Sequence, residues 1–234
     1  MARTLTFGDL IATISKKISR TTEEDFAALI CSMTIQEIWK RYDWRESIET
    51  LPSFWLSPRM QDYGAPLNIV PQDFEGLRTA LLVQFTGNPA RIIPLDITKN
   101  LDRTNVYSFP SAMSYNHENS CFRIWPNVPE NWGCPDHMIT GTYKKLPVSV
   151  LPSSYQGTAL PFDDKYFFPI VETALWKGYK LNGSPMEEKA QLSALTAIDE
   201  MARDQGLNDG DSNITPSSSL ALTSGNFQTG FLWR

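Results

Sequence analysis

The chain has 234 residues, 41% of them apolar and 20% charged, so a sizeable core is possible and wholesale disorder is excluded. Lys and Arg number 21 against 26 Asp and Glu, a net charge of −5, which argues against a protein that grips nucleic acid through a general basic surface. The three cysteines show no disulfide framework and fit a reducing cytosol, no apolar run reaches the roughly 18 residues of a membrane span, and the opening MARTLTFGDL lacks the apolar segment of a secretory signal.

The first fifty residues read as helical. Leu10, Ile11, Ile14 and Ile18 form one apolar stripe and predict a helix over about 7–20. Thr21 and Glu24 offer a capping box for a second helix carrying Phe26, Leu29, Ile30, Met33, Ile38, Trp39 and Tyr42. The join is so short that the two helices are expected to pack as an antiparallel hairpin. From 51 to 76 prolines at 52, 58, 66 and 71 punctuate the chain, predicting ordered loop with at most one helical turn. Thr79–Phe85 and Arg91–Leu95 flank Gly87-Asn88 as a β-hairpin, with Pro94 confining its second strand to an edge. Cys121–Trp125 and Met138–Tyr143 are further strand candidates, so a small antiparallel β-unit is expected within 86–150.

Helix returns after Phe162-Asp163-Asp164, with Tyr166, Phe167, Ile170, Val171, Ala174, Leu175 and Tyr179 on its course, Pro169 in its first turns and Asn182-Gly183 ending it. Ser184-Pro185-Met186-Glu187 then signals a last helix to about Gln205, with Leu192, Leu195, Ile198 and Met201 on its core stripe and Gly206 as its stop. The expectation is an α+β chain: a bundle of about four helices from 1–50 and 160–205, proline-rich loops and an inserted small antiparallel β-domain in 51–159, and an extended tail in 206–234.

One group of residues has the makings of a metal site: His117-x3-Cys121-x12-Cys134-x2-His137. Zinc needs four such ligands in a tetrahedron. The strand reading instead puts Cys121 at one end of an antiparallel pair and Cys134 and His137 in the turn at the other, about 15 Å away at roughly 3.3 Å per residue. No metal is therefore expected. Cys134 and His137 as nucleophile and base lack a third, orienting group. The acidic doublets Glu23-Glu24, Asp163-Asp164 and Glu187-Glu188 stand where helix N-termini favour negative charge. Phosphate loops and nucleophile elbows are absent from the sequence, and no catalytic, cofactor or metal residue is assigned. Lys16-Lys17 and Lys144-Lys145 read as solvated faces, Trp39 and Trp176 as core. Phe54, Trp55, Leu56 and Trp132, apolar residues in proline-rich segments, are candidate inter-subunit or tail-side contacts. Phe231, Leu232, Trp233 and Arg234 are a candidate docking end, apolar side chains closing a polar tail.

The order of these features resembles the head-to-tail adaptor (connector, tail tubular A-like) family of tailed bacteriophages over about residues 5–205. The features are a helix pair ending near Trp39-x4-Trp44; Val70-Pro71-Gln72-Asp73-Phe74; Ile124-Trp125-Pro126; Ile139–Pro147; and Leu160-Pro161-Phe162-Asp163 leading to Ala174-Leu175-Trp176. They are strand-and-proline patterns rather than catalytic signatures. The resemblance implies a virion structural protein without enzymatic activity, made in the host cytoplasm and placed in the neck as a ring, usually of twelve copies. Its implied partners are the portal protein, met by the helical part and the C-terminal extension, a downstream neck or tail protein met by the β-part, and further copies of itself. Genomic DNA would pass through the lumen without sequence recognition. A metal-dependent nucleic-acid-processing enzyme and another neck component, a stopper or tail-completion protein, are the alternative readings.

Overall fold

The structure, a computed structural model, describes residues 4–18, 24–64, 69–85, 90–132, 136–147 and 155–207. It divides into two compact units. One is built from the described residues up to Ser47 together with those of 147–207, and the other from Ile48–Leu146.

The first unit is helical. Thr6 and Asp9 cap α1 (Phe7–Ile18) reciprocally: the Thr6 amide donates to Asp9 Oδ2 at 3.0 Å and the Asp9 amide to Thr6 Oγ1 at 3.2 Å. Leu10, Ile11 and Ile14 of α1 are buried, as their spacing requires. In α2 (Glu24–Arg41) the buried face is Ala27, Ile30, Cys31, Thr34, Ile35, Ile38 and Trp39. Leu29 and Met33, expected in that stripe, are exposed, the buried face running instead through Ala27, Cys31 and Thr34. The proposed cap at Thr21 lies outside the described residues. Trp44 is fully buried just past α2, its indole N–H donating to the Ile38 carbonyl at 2.6 Å, and Trp39 and Trp44 both meet the Phe162 ring edge-on.

A 3-10 turn, Asp164–Tyr166, with Asp163 at its N-cap, leads into α3 (Phe167–Leu181), which holds Pro169 in its first turn, where no intrahelical amide is needed. Gly183, at φ 60°, ends α3 while the Ser184 amide reaches the Tyr179 carbonyl at 2.9 Å. In α4 (Glu187–Asp204) the core stripe is Ala194, Ala197, Ile198, Met201 and Ala202. Leu192, expected on it, is instead exposed. Gly206, at φ 76°, stops α4. Gln205 fastens the 3-10 turn Arg45–Ser47, which follows α2, to this helix: its side chain accepts from the Arg45 amide at 3.0 Å and donates to Glu46 at 2.8 Å.

The second unit overturns the expected small antiparallel insert. It contains β1 (Ile48–Trp55), β2 (Asp62–Tyr63), β3 (Phe74–Gln84), β4 (Arg91–Pro94), β5 (Asp96–Ile97), β6 (Ala112–Asn116), β7 (Cys121–Trp125) and β8 (His137–Lys145). They form two four-stranded sheets, ordered β1-β8-β3-β4 and β2-β7-β6-β5, so the chain is α+β with a substantial two-sheet unit beside its four helices. The second sheet is not purely antiparallel, since β5 pairs with β6 in parallel. The stretch read as loop over 51–76 contains most of β1, all of β2 and the start of β3. Pro52 hid β1: it falls where the register shifts between Leu51 and Phe54, on an edge strand, and its missing N–H interrupts no central ladder. The hairpin of β3 and β4 forms as expected, with β4 at the sheet edge. The strands β7 and β8, expected to pair, lie in different sheets. Leu51, Phe54, Leu82 and Ile139 from one sheet and Tyr63, Met113, Phe122 and Ile124 from the other share one core.

Candidate interaction surface

Alternation along the strands decides what the first sheet turns outward. Phe54, Ile139 and Leu82 are successive cross-strand partners and all are core residues. One step along, Trp55 pairs with Met138, Met138 with Val83, and Val83 with Ile92. Because side chains alternate with period two, this second row stands on the opposite face and crosses all four strands. Trp55 is 40% exposed and Ile92 48% exposed at the two ends of the row, while Met138 is half-buried and Val83 between them is buried. Phe85, two residues beyond Val83 and 45% exposed, closes the row by packing against Trp55 with ring centroids 5.6 Å apart. The adjoining positions on one side are uncharged: Ser53 hydrogen-bonds Thr140, Leu81 pairs with Pro94, and the Thr79 and Thr142 hydroxyls share a 2.9 Å hydrogen bond; at the Phe85 end the exposed Asp136, two residues before Met138, borders the strip. The result is an apolar strip with a hydroxyl margin.

Of the expected contact residues, Trp55 belongs to this strip. Phe54 and Leu56 do not reach the surface, being 5% and 0% exposed in the core of the β unit. Trp132 is partly buried, with the His137 ring stacked on it at 3.9 Å and Phe109 against its edge. Phe231, Leu232, Trp233 and Arg234 lie outside the described residues. Met138, Val83, Phe85 and Ile92 were missed by sequence reasoning, although alternation in 81–85 and 91–94 carries their signal once the pairing is known.

The possible metal ligands are distributed as follows. His117 and Cys121 lie at the connection between β6 and β7, where Tyr115 packs against His117 and Asn116 pairs with Cys121. His137 opens β8 in the other sheet rather than sitting in a turn, and Cys134 is outside the described residues. Among the described residues no group of three His, Cys, Asp or Glu side chains could hold a metal ion. The thiols are poor nucleophiles, since burial pushes Cys31 up to about 12 and also raises Cys121. Burial lowers the His137 imidazole below its ordinary value despite Asp136 nearby. The strongest electrostatic group is structural: Asp62 on β2 accepts from Arg123 on β7 at 2.6 Å and from Arg103 at 2.8 Å. No described helix is long and apolar enough to cross a membrane. No family model matches the chain, and no curated protein matches it.

Proposed function

We propose that this protein is a non-enzymatic virion component, a head-to-tail adaptor that assembles as a ring between a portal and the neck or tail of a tailed bacteriophage. The observation that carries the reading is the uncharged strip Trp55–Met138–Val83–Ile92 with Phe85, a small apolar face that another protein could cover. A closed ring of identical chains needs two different faces on one protomer. The helical unit has exposed apolar side chains of its own, Phe168 at 72% and Leu192 at 71%, so each unit brings a separate candidate contact. In this reading the partners are the portal protein, a downstream neck or tail protein and neighbouring copies, with Phe231–Arg234 as the portal-docking end. The net charge of −5 suits a conduit wall that repels passing DNA.

The test is electron microscopy of the purified protein mixed with portal rings, with native mass spectrometry of the same mixture. A closed ring seated on the portal is the expected result. Protein that stays monomeric alone and with portal would overturn the reading.

A further inference from the structure

The strip on the first sheet is small. Four strands about 4.8 Å apart and two rows along the strand give a footprint on the order of 300 Å². A stable dimer buries about 800 Å² on each partner, so this face alone underserves a second copy of the protein. It suits a short peptide with two or three large apolar side chains, each burying about 150–250 Å² where aromatic. The floor between Trp55 and Ile92 holds no ionisable side chain, so that peptide must be apolar at its contact residues.

The chain carries such a peptide. Phe231-Leu232-Trp233 ends a segment otherwise dominated by Ser, Thr, Asn, Gly and Asp after Leu207. From Leu207 to Phe231 is 24 residues (231 − 207), about 80 Å if extended. A compact unit of about 100 residues has a radius of gyration of only about 13 Å, so a segment of this length is long against the dimensions of the β unit. A covalent tether raises the local concentration of its end, which favours a site on the same chain over one on another molecule.

We propose that, in the free protomer, Phe231-Leu232-Trp233 binds the strip formed by Trp55, Met138, Val83, Ile92 and Phe85 of its own chain. The contact covers the apolar face until a partner displaces the tail. Only this last consequence, control of assembly, rests on the adaptor reading; the docking itself does not.

The experiment places photoreactive benzoylphenylalanine at position 233 of the full chain, irradiates the protein without portal, and maps cross-links by mass spectrometry. Expected are cross-links within one chain to peptides containing Trp55, Phe85, Ile92 or Met138, with a yield independent of protein concentration. Ile92→Lys, at an exposed position of the edge strand, should lower that yield roughly ten-fold, as loss of about one buried aliphatic contact implies. Trp55→Ser should do the same, and circular dichroism verifies that both variants remain folded. Cross-links elsewhere, cross-links only between copies, no cross-link, or a yield that both variants leave unchanged would each overturn the proposal. Portal takes no part in this assay, so failure of the ring reading and failure of tail docking are seen separately.

Discussion

The α-carbon of Gly141 on β8 stands so close to the Thr79 carbonyl of β3 that a β-carbon added there would fall well inside van der Waals contact with backbone. The approach coincides with the register shift between Leu77 and Thr79, where β3 bends against β8. Backbone cannot rotate away as a side chain can. Gly141→Ala is expected to destabilise the protein by about 1–3 kcal/mol in urea unfolding, the usual cost of forcing extra atoms into a packed site. Gly178→Ala is the comparison. Its β-carbon would meet side chains rather than backbone, Ile18 at Cδ1 and Cγ1 and Ile30 at Cδ1, which can shift in part, and alanine gains up to about 1 kcal/mol of helix propensity, so its net cost should be smaller than that at Gly141.

Asp62 holds the short strand β2 to β7 by an ion pair in which the Arg123 side chain is only 11% exposed. Burial pushes the Asp62 carboxyl up, yet hydrogen bonds from Arg123 and Arg103 outweigh it and hold the group below its ordinary 3.8. A carboxyl depressed on folding stabilises fully above its unfolded pKa and loses that contribution as pH falls through the folded value. Asp62→Asn should therefore cost about 1–3 kcal/mol or more at pH 7, because Arg123 is left partly buried without its counter-ion. The gap between variant and wild type should narrow below about pH 4 in parallel thermal melts.

His137 has the opposite consequence for acid. Its folded pKa is lowered from 6.5, chiefly by burial against Trp132, so the unfolded chain takes up the proton first. Stability should be unaffected by this group above about pH 7 and decline as pH falls below 6.5, levelling off once the folded imidazole also protonates. Urea titrations between pH 7 and 5 should show that decline in the wild type. His137→Gln should remove this group's share of it, and a variant as pH-dependent as the wild type would contradict the assignment.

Treatment with a strong chelator should leave the melting curve unchanged. His117 and Cys121 sit at the β6–β7 connection while His137 opens a strand of the other sheet, an arrangement at odds with one tetrahedral site. A clear drop in melting temperature would show that a structural metal had been lost.

Helix positions were legible because α1 and α4 announce themselves through local chemistry: the Leu10–Ile14 spacing needs no tertiary information, and the Ser184-Pro185 signal falls just ahead of α4, although the helix begins at Glu187 with Met186 rather than Ser184 as its N-cap. Which face of a helix is buried was less legible. Leu29 and Leu192 are as hydrophobic as their buried neighbours, yet the buried faces run instead through Ala27, Cys31, Ala194 and Ala197. The β unit was largely hidden. Its first strand contains a proline, two strands have just two residues, and pairing such as β1 with β8 joins segments some ninety positions apart, such as Ile48 and Lys144. The apolar strip shares that history: Trp55, Met138, Val83 and Ile92 become one surface only after four strands are aligned.

The core of the helical unit unites Trp39 and Trp44, translated early, with Phe162, Ile170 and Met201, translated late. Between them the ribosome must make about a hundred residues of β unit, which at roughly 5–20 residues per second takes about 5–20 s. For that interval α1 and α2 have no α3 to cover Ile30, Ile35 or Ile38, while the strands have their own complete core once Leu146 has emerged. Synthesis thus leaves the N-terminal helices as a waiting half-core, and slow elongation or a pause before Phe162 would lengthen the period in which chaperones, or the same half-core on another nascent chain, compete for it.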